Sequence, residues 1–402
     1  MRILQLCNKV PYPLKDGGVM AIHNLTKGLT NAGAEICLMA MNTSRHRTDS
    51  TLVAAYFRGF QNLSVHLVDV NTDIKYLSAL RNLIFSDLPY NAERFIDKNF
   101  GAKLKTLLQA EHYDIVQFEG LYLMPYAEIV RRYSGAKVAL RAHNVENEIW
   151  FRNLQSEKNL LKKVYLGIFA NRLKNFELTQ VNKYDLLVPI TLRDAEIFNR
   201  MGNKKPICVC PYGYIGNSGP VDYGTNNKRS FFFIGSLDWI PNQQGITWFV
   251  ENIWKRISLE SEDNQLHVAG RNAPLWLKKY LENHNINFAG EVEDAGEFMK
   301  DKGIMVVPLF SGSGMRVKIV EALAAGKAIV STSLGAEGID LTDSENIMLA
   351  NTPEDFVQAA KKLCSDSNFY LDIVKNAVKF VNERLNNDTI VNNLSEFYKT
   401  NL

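Results

Sequence analysis

Short runs of apolar, often β-branched residues alternate along the chain with stretches whose apolar positions recur every three or four residues. In the first half the runs predict strands over 2–7, 36–41, 64–70, 114–118, 137–142, 185–190 and 207–210. Between the first two strands, Ile22, Leu25 and Leu29 stand at helical spacing over 20–31, with Gly33 placed to cap the helix. Strands apolar on both faces, separated by amphipathic helices, predict a parallel sheet covered on both sides. Over 213–227 glycine, asparagine and proline crowd together and the alternation breaks. It then restarts, with strands over 230–235, 265–269, 286–288, 304–310 and 328–332 and helices over 244–257, 317–325 and 353–364. Two α/β domains in series are expected, with a cleft between them. In open sheets of this kind ligands bind beyond the carboxyl ends of the strands.

Composition narrows the class. At about 150 residues per domain, 402 residues make two or three domains. The 46% apolar and 22% charged fractions are those of an ordinary soluble protein, which excludes disorder and fibre. No apolar run approaches the roughly 18 residues of a membrane span. Asn8 and Lys9 interrupt the first apolar stretch, so it does not read as a signal peptide. Five sparse cysteines, with Cys208 and Cys210 on one face of a strand, suit small core residues in a reduced, cytoplasmic protein. No H-x-x-x-H or C-x-x-C pair marks a zinc site, and neither metal nor cofactor is expected. The net charge of +3 hides an asymmetry: residues 1–215 carry 28 Lys and Arg against 19 Asp and Glu. A basic first half suits an anionic partner such as a phosphorylated lipid or a membrane surface, or it reflects uneven solvated faces with no partner. No nucleic-acid partner is expected.

A dinucleotide site would show G-x-G-x-x-G after the first strand, where only Gly17-Gly18 stands, and Gly326-Lys327 closes a helix where a P-loop would open one. The informative stretch is 304–332, IMVVPLFSGSGMRVKIVEALAAGKAIVST. A buried strand runs into the turn Ser311-Gly312-Ser313-Gly314, and a helix starts near Met315. Helix N-termini bind phosphates through unpaired N–H groups, and glycine lets backbone approach a ligand closely. Arg316 and Lys318 fall in the first helical turn, where each cation opposes the helix dipole by about a few tenths of a kcal/mol and a bound anion would offset it. Alternatively both are solvated, with Lys318 pairing Glu321 at i,i+3. Glu321 stands on an otherwise apolar helix, either paired or placed to hold hydroxyls, since a vicinal diol can donate two hydrogen bonds to one carboxylate.

Nearly the whole chain resembles the retaining glycosyltransferases of family 4. The motifs that carry the resemblance are MRILQLCNKVPYPLKDGG at the start, RAHNVE ending at Glu146, PYGYI, FIGSLDWIPN and SGSGMRVKIVEALAAGKAIVSTSLGAEGI. The resemblance implies the GT-B fold, two Rossmann-like, doubly wound domains facing a central cleft. Residues 1–215 would hold the acceptor, 216–374 a nucleotide-diphosphate sugar, and 375–402 would cross back onto the first domain. Gly17 and Gly18 match the glycine loop that approaches donor phosphates and acceptor, unless they form a plain tight turn. His143 matches the histidine beside the reacting sugar, or is a satisfied loop histidine. Glu321 matches the second glutamate of E-x7-E, implied to grip the ribose. Arg316 and Lys318 would clamp the diphosphate with the amides of Ser313, Gly314 and Met315. Gly335, Ala336 and Glu337 would form a loop near the donor, though Glu337 could equally be a surface acid.

Two departures matter. The first glutamate of E-x7-E is replaced by Ser313, and the Gly-Arg pair expected after the first strand of the second domain reads Gly235-Ser236, with Gln243 and Gln244 near the place of a following lysine. Positive charge is missing on that side and present at Arg316 and Lys318. Trp239 in the same loop either stacks on a base or packs. The implied chemistry is metal-independent transfer, with retention, of a sugar to a saccharide or lipid-linked acceptor in surface-polysaccharide or glycoconjugate synthesis. The competing readings are a nucleotide-sugar epimerase or phosphorylase on the same fold and a non-catalytic nucleotide-sugar-binding scaffold. Segments 76–85 and 160–176 are amphipathic and basic, fit either to pack on the core or to lie on anionic lipid at the inner face of the membrane.

Overall fold

The structure, a computed structural model, describes residues 1–157, 159–216, 221, 223, 228–312 and 314–402. It divides into two units, one of Met1–Gly213 with Asn387–Leu402 and one of Tyr214–Asn386. The first holds strands β1 (Arg2–Cys7), β2 (Glu35–Thr43), β3 (Leu63–Val70), β4 (Ile115–Glu119), β5 (Lys137–Ala142) and β6 (Leu186–Pro189). The second holds β7 (Ser230–Ile234), β8 (Gln265–Ala269), β9 (Asn287–Gly290), β10 (Ile304–Val307), β11 (Ala328–Ser331) and β12 (Met348–Leu349). Both sheets are parallel, in the orders β3-β2-β1-β4-β5-β6 and β12-β11-β10-β7-β8-β9. Counted within its own unit, each sheet has the dinucleotide-fold order 3-2-1-4-5-6, whose reversal point opens a crevice at the strand ends.

Alternation inside the first sheet explains its apolar runs. Leu4, Leu6, Met39, Val116, Phe118, Val138 and Leu140 fill one core. Ile3, Leu38, Ile115, Ala139 and Val188 point the other way, onto the helices Gly17–Asn31 and Asn387–Thr400. Both faces are buried, so hydrophobicity runs continuously along each strand.

Several expected boundaries shift. The chain does not leave the second unit at 375: Tyr370, Ile373 and Val374 of the helix Ser367–Arg384 are buried in that unit's core, and the return falls at Asn387. From there Ile390, Val391, Leu394 and Tyr398 enter the core beneath Gly17–Asn31. The first segment ends at Gly213, two residues short of the expected 215. Residues 207–210 do not form a strand. Cys208 and Cys210 donate to the Leu187 and Pro189 carbonyls, but only Ile207 makes a bridge, because β6 ends at Pro189 before the helix Leu192–Arg200. Strand β10 stops at Val307, since Pro308 has no N–H to continue the ladder. The two-residue β12 is too short to show a period.

An alanine in a helix is ordinarily better than glycine by about 1 kcal/mol. At Gly28, however, a Cβ would lie 2.4 Å from Val391 Cγ2 and 2.5 Å from Asn387 Nδ2 of the returning helix. Overpacking of this kind costs about 1–3 kcal/mol. Gly28→Ala is therefore expected to lower stability in urea unfolding, against the helix-propensity trend.

Candidate functional site

The second unit gathers its polar chemistry at the carboxyl ends of β7 and β10. After Pro308 the chain turns through Gly312 and Gly314, whose φ angles of 108° and 78° only glycine adopts without strain. It enters the helix Val317–Ala324 with Arg316 as N-cap, so Arg316 precedes the first turn and does not lie within it. Arg316 is buried, its Nη1 donates to the Gly314 carbonyl at 2.5 Å, and its guanidinium lies 5.7 Å from the Trp239 ring centre. A Cβ on Gly312 would sit 2.7 Å from that indole, so the turn and the ring fit only through glycine.

Lys318 does not pair with Glu321. Its ammonium donates to Asn242 Oδ1 at 3.3 Å and lies 4.6 Å from the Phe233 ring centre. A Cβ on Gly235 would come within 3.1 Å of the same nitrogen, so glycine there gives the ammonium its space. Burial, with the Arg316 charge adding to it, pushes the Lys318 ammonium down to about 7. No carboxylate lies within ion-pair distance of it among the described residues. Two cations thus converge where β7 and β10 end, an arrangement fit to receive an anion.

The other expected donor residues lie around this centre in different ways. Ser236 is tied into its loop, donating to Asp238 Oδ1 at 2.7 Å and accepting from Arg271 Nε at 2.9 Å. Met315 and Gly314 belong to the turn before the helix. Ser313 lies outside the described residues. Glu321 is one turn further along the helix, and its carboxylate makes no hydrogen bond among the described residues; burial, aided by the Asp294 charge, pushes its carboxyl up to about 7. Glu337 follows Gly335 in the loop after β11, where Thr332 accepts the Gly335 N–H at 2.9 Å and donates to the Leu309 carbonyl.

The first unit builds a second cluster at the ends of β1, β4 and β5. Gly17 and Gly18 open the helix Gly17–Asn31, capped by Asp16, whose carboxylate accepts from Val19 N and pairs with Lys9 at 2.7 Å. A Cβ on Gly18 would lie 3.3 Å from Lys9 Nζ. His143, just beyond β5, donates Nε2–H to Glu119 Oε2 at 2.6 Å. Glu119 is fully buried beside Arg141, which reaches it at 3.2 Å. Its other oxygen accepts from Gln5 at 2.7 Å and Gln117 at 2.5 Å. Tyr398 of the returning helix donates to Gln117 at 2.7 Å. Burial would raise the Glu119 carboxyl, but Arg141 and His143 overcome it and hold it at about 2. His143 is drawn below its ordinary value by burial, against the opposing pull of Glu119. It is therefore a neutral ring whose Nδ1 lone pair can accept from a hydroxyl. Lys9 and Glu119 escaped the sequence reading, though both stand at carboxyl ends of strands, where such a sheet places its ligands.

Residues 228–366 match the family model described as glycosyl transferases group 1. The chain is 21% identical over 409 residues to an uncharacterized 44.6 kDa protein in the cps region of Klebsiella pneumoniae, covering 100% of both. It is 29% identical over 245 residues to an uncharacterized glycosyltransferase of Methanocaldococcus jannaschii, covering 57% of each. It also superposes on the crystal structure of Anabaena HepE in complex with UDP, with a TM-score of 0.68 at 13% identity over the full length of both chains. The architecture is that of the GT-B fold.

Two stability predictions follow from these burials. Removing the charge of Glu119 leaves Arg141 buried without its counter-ion, which costs about 3–5 kcal/mol; Glu119→Gln should show that loss in guanidinium unfolding. Glu321 behaves oppositely. Between pH 4.5 and about 7 the folded protein keeps a proton that the unfolded chain has released, so this group's contribution to stability declines as pH rises across that window. The decline amounts to about 3 kcal/mol. Glu321→Gln should flatten it and be the more stable protein above pH 7, as read by unfolding at several pH values.

Proposed function

We propose that the protein is a glycosyltransferase that moves a sugar from a nucleotide-diphosphate sugar to a saccharide or lipid-linked acceptor. The observation that carries the reading is the convergence of Arg316 and Lys318 at the ends of β10 and β7, with no carboxylate facing Lys318 among the described residues. A diphosphate is doubly matched to two cations beside a glycine turn and a helix N-terminus. The group 1 domain over 228–366 supports the same assignment, and the cps-region relative supports a role in surface-polysaccharide or glycoconjugate synthesis.

In this scheme the second unit holds the donor. Arg316, Lys318 and the turn amides at Gly314 and Met315 stabilise charge on the departing diphosphate, a role given to protein groups and not to a resident metal. Glu321 takes the ribose hydroxyls, and Gly235, Ser236 and Glu337 line the donor. The first unit holds the acceptor, with the helix start at Gly17 and Gly18 facing phosphate and His143 Nδ1 accepting from a sugar hydroxyl. Retention is proposed as follows. The bond from the anomeric carbon to phosphate oxygen breaks, the acceptor oxygen bonds on the same face, and the acceptor's proton passes to the departing phosphate oxygen.

If one clamp donor contributes about 2–4 kcal/mol to the transition state, Arg316→Ala should lower turnover about 30- to 1000-fold. A thermal-shift screen of nucleotide sugars, beginning with UDP sugars because HepE was crystallised with UDP, identifies the donor by the stabilisation it gives. Absence of any shift, or unchanged kinetics in Arg316→Ala, would remove the assignment. Binding without turnover on any acceptor would favour the scaffold reading. Lys318 adds a pH signature. It loses its charge as pH rises through about 7, and a bound diphosphate restores it, so nucleotide affinity should fall from pH 7 to 9 with proton uptake on binding. Calorimetry in buffers of different ionisation enthalpy measures that uptake, which should vanish in Lys318→Met.

A further inference from the structure

We propose that the helices Tyr76–Phe85 and Leu160–Gln180 form a seat by which the first unit docks on an anionic lipid surface. The two helices are joined: Arg172 donates to the carbonyls of Asn82 at 3.1 Å and Leu83 at 2.7 Å, capping the end of the shorter one. Each then turns an apolar stripe outward. On the first, Leu77 is 84% and Phe85 82% exposed, with Leu80 and Ile84 between them on the same face. On the second, Leu161 is 85% exposed and Leu160, Val164 and Ile168 continue the stripe. Phe169 and Leu173 of the same helix point inward and supply its attachment to the core, so the outer stripe is surplus to folding.

The charge around the stripes selects the occupant. Residues 75–85 and 160–176 contain six Lys and Arg and no Asp or Glu. Lys75, Arg81, Lys162, Lys163 and Lys174 are exposed. Apolar side chains flanked by lysines suit an interface in which the chains enter the acyl boundary and the ammonium groups meet lipid phosphates. A protein partner would have to present a strongly acidic apolar groove, whereas an anionic bilayer offers both features at any point. No helix among the described residues is long and apolar enough to cross a membrane, so the association drawn here is interfacial. The inference stands on this face alone and does not rest on the nucleotide-sugar reading.

The test is flotation of the full chain with phosphatidylcholine vesicles and with vesicles containing phosphatidylglycerol. The protein should float with the anionic vesicles, release as salt rises, and remain in solution with phosphatidylcholine alone. Phe85→Ser with Leu161→Ser, and separately Lys162→Glu with Lys163→Glu, should each reduce association about tenfold or more. Circular dichroism and the thermal midpoint should be unchanged in both, since these side chains face solvent. Failure of the native protein to float on anionic vesicles overturns the proposal. So does a dimer in sedimentation that the serine variant abolishes, because the face would then be a contact between two copies.

Discussion

A charge withdrawn from water must be answered by opposite charge or by hydrogen bonds, and the first unit is organised around one such answer. Glu119 sits at the end of β4 in register with Cys7 of β1 and Arg141 of β5. Its two oxygens collect Arg141, His143, Gln5 and Gln117. Gln117 in turn receives Tyr398, from the far end of the sequence. One carboxylate therefore fixes the spacing of three strands, selects the tautomer of His143 and anchors the returning helix. Thr26 closes the network by donating to Gln5 from the helix that Gly17 begins. Because Glu119, Arg141, Gln5, Gln117, Thr26 and Tyr398 are all buried, loss of one partner leaves the others unsatisfied.

The second unit states the same problem and leaves it open. Lys318 has an asparagine oxygen and an aromatic face, and the Arg316 guanidinium raises the local potential further. Glu321, a turn away, is buried enough to hold its proton near neutrality. Both groups are more costly to keep charged in the free protein than in water. Such local conflicts concentrate at functional sites, where a ligand supplies the missing partner. A diphosphate would complete Lys318 and a diol would complete Glu321, so the energy withheld from the fold becomes available to binding.

The fold was legible because strands buried on both faces leave long apolar runs, and the break over 213–227 marks the passage between units. What escaped was whatever depends on tertiary register. The return at Asn387 could not be placed because the helix Ser367–Arg384 has the same amphipathic pattern whichever core it serves. In the candidate site, Arg316 and Lys318 were conspicuous as cations at a helix start. Their direction was hidden, since i,i+3 spacing offered Glu321 as a partner whereas the space over Gly235 lies just beyond the distant strand β7. Lys9 looked like the end of an apolar stretch, and Glu119 like the ordinary polar end of a strand. Neither has a local pattern: Glu119 gains most of its partners from residues more than twenty positions away or across the sheet, and Lys9 meets Asp16 only through the loop that opens the helix Gly17–Asn31.

The position of Lys318 also bears on the departures at Ser236 and Gln243. The family resemblance leads one to expect a cation after β7, carried by residues of that loop, and the loop is instead neutral at those positions. Ser236 binds Asp238 and Arg271, while Gln243 donates to the Leu237 carbonyl, so both serve to fix the loop. The ammonium of Lys318, arriving from the helix after β10, occupies the space above Gly235 and Phe233 at the end of β7. Positive charge is thus delivered to the place where the loop lacks it. A cation presented by a helix start is held by backbone geometry and by Asn242, where a loop side chain would be free to choose among rotamers. The substitution at Ser236 and the helix lysine are then two halves of one arrangement, and neither is intelligible without the other.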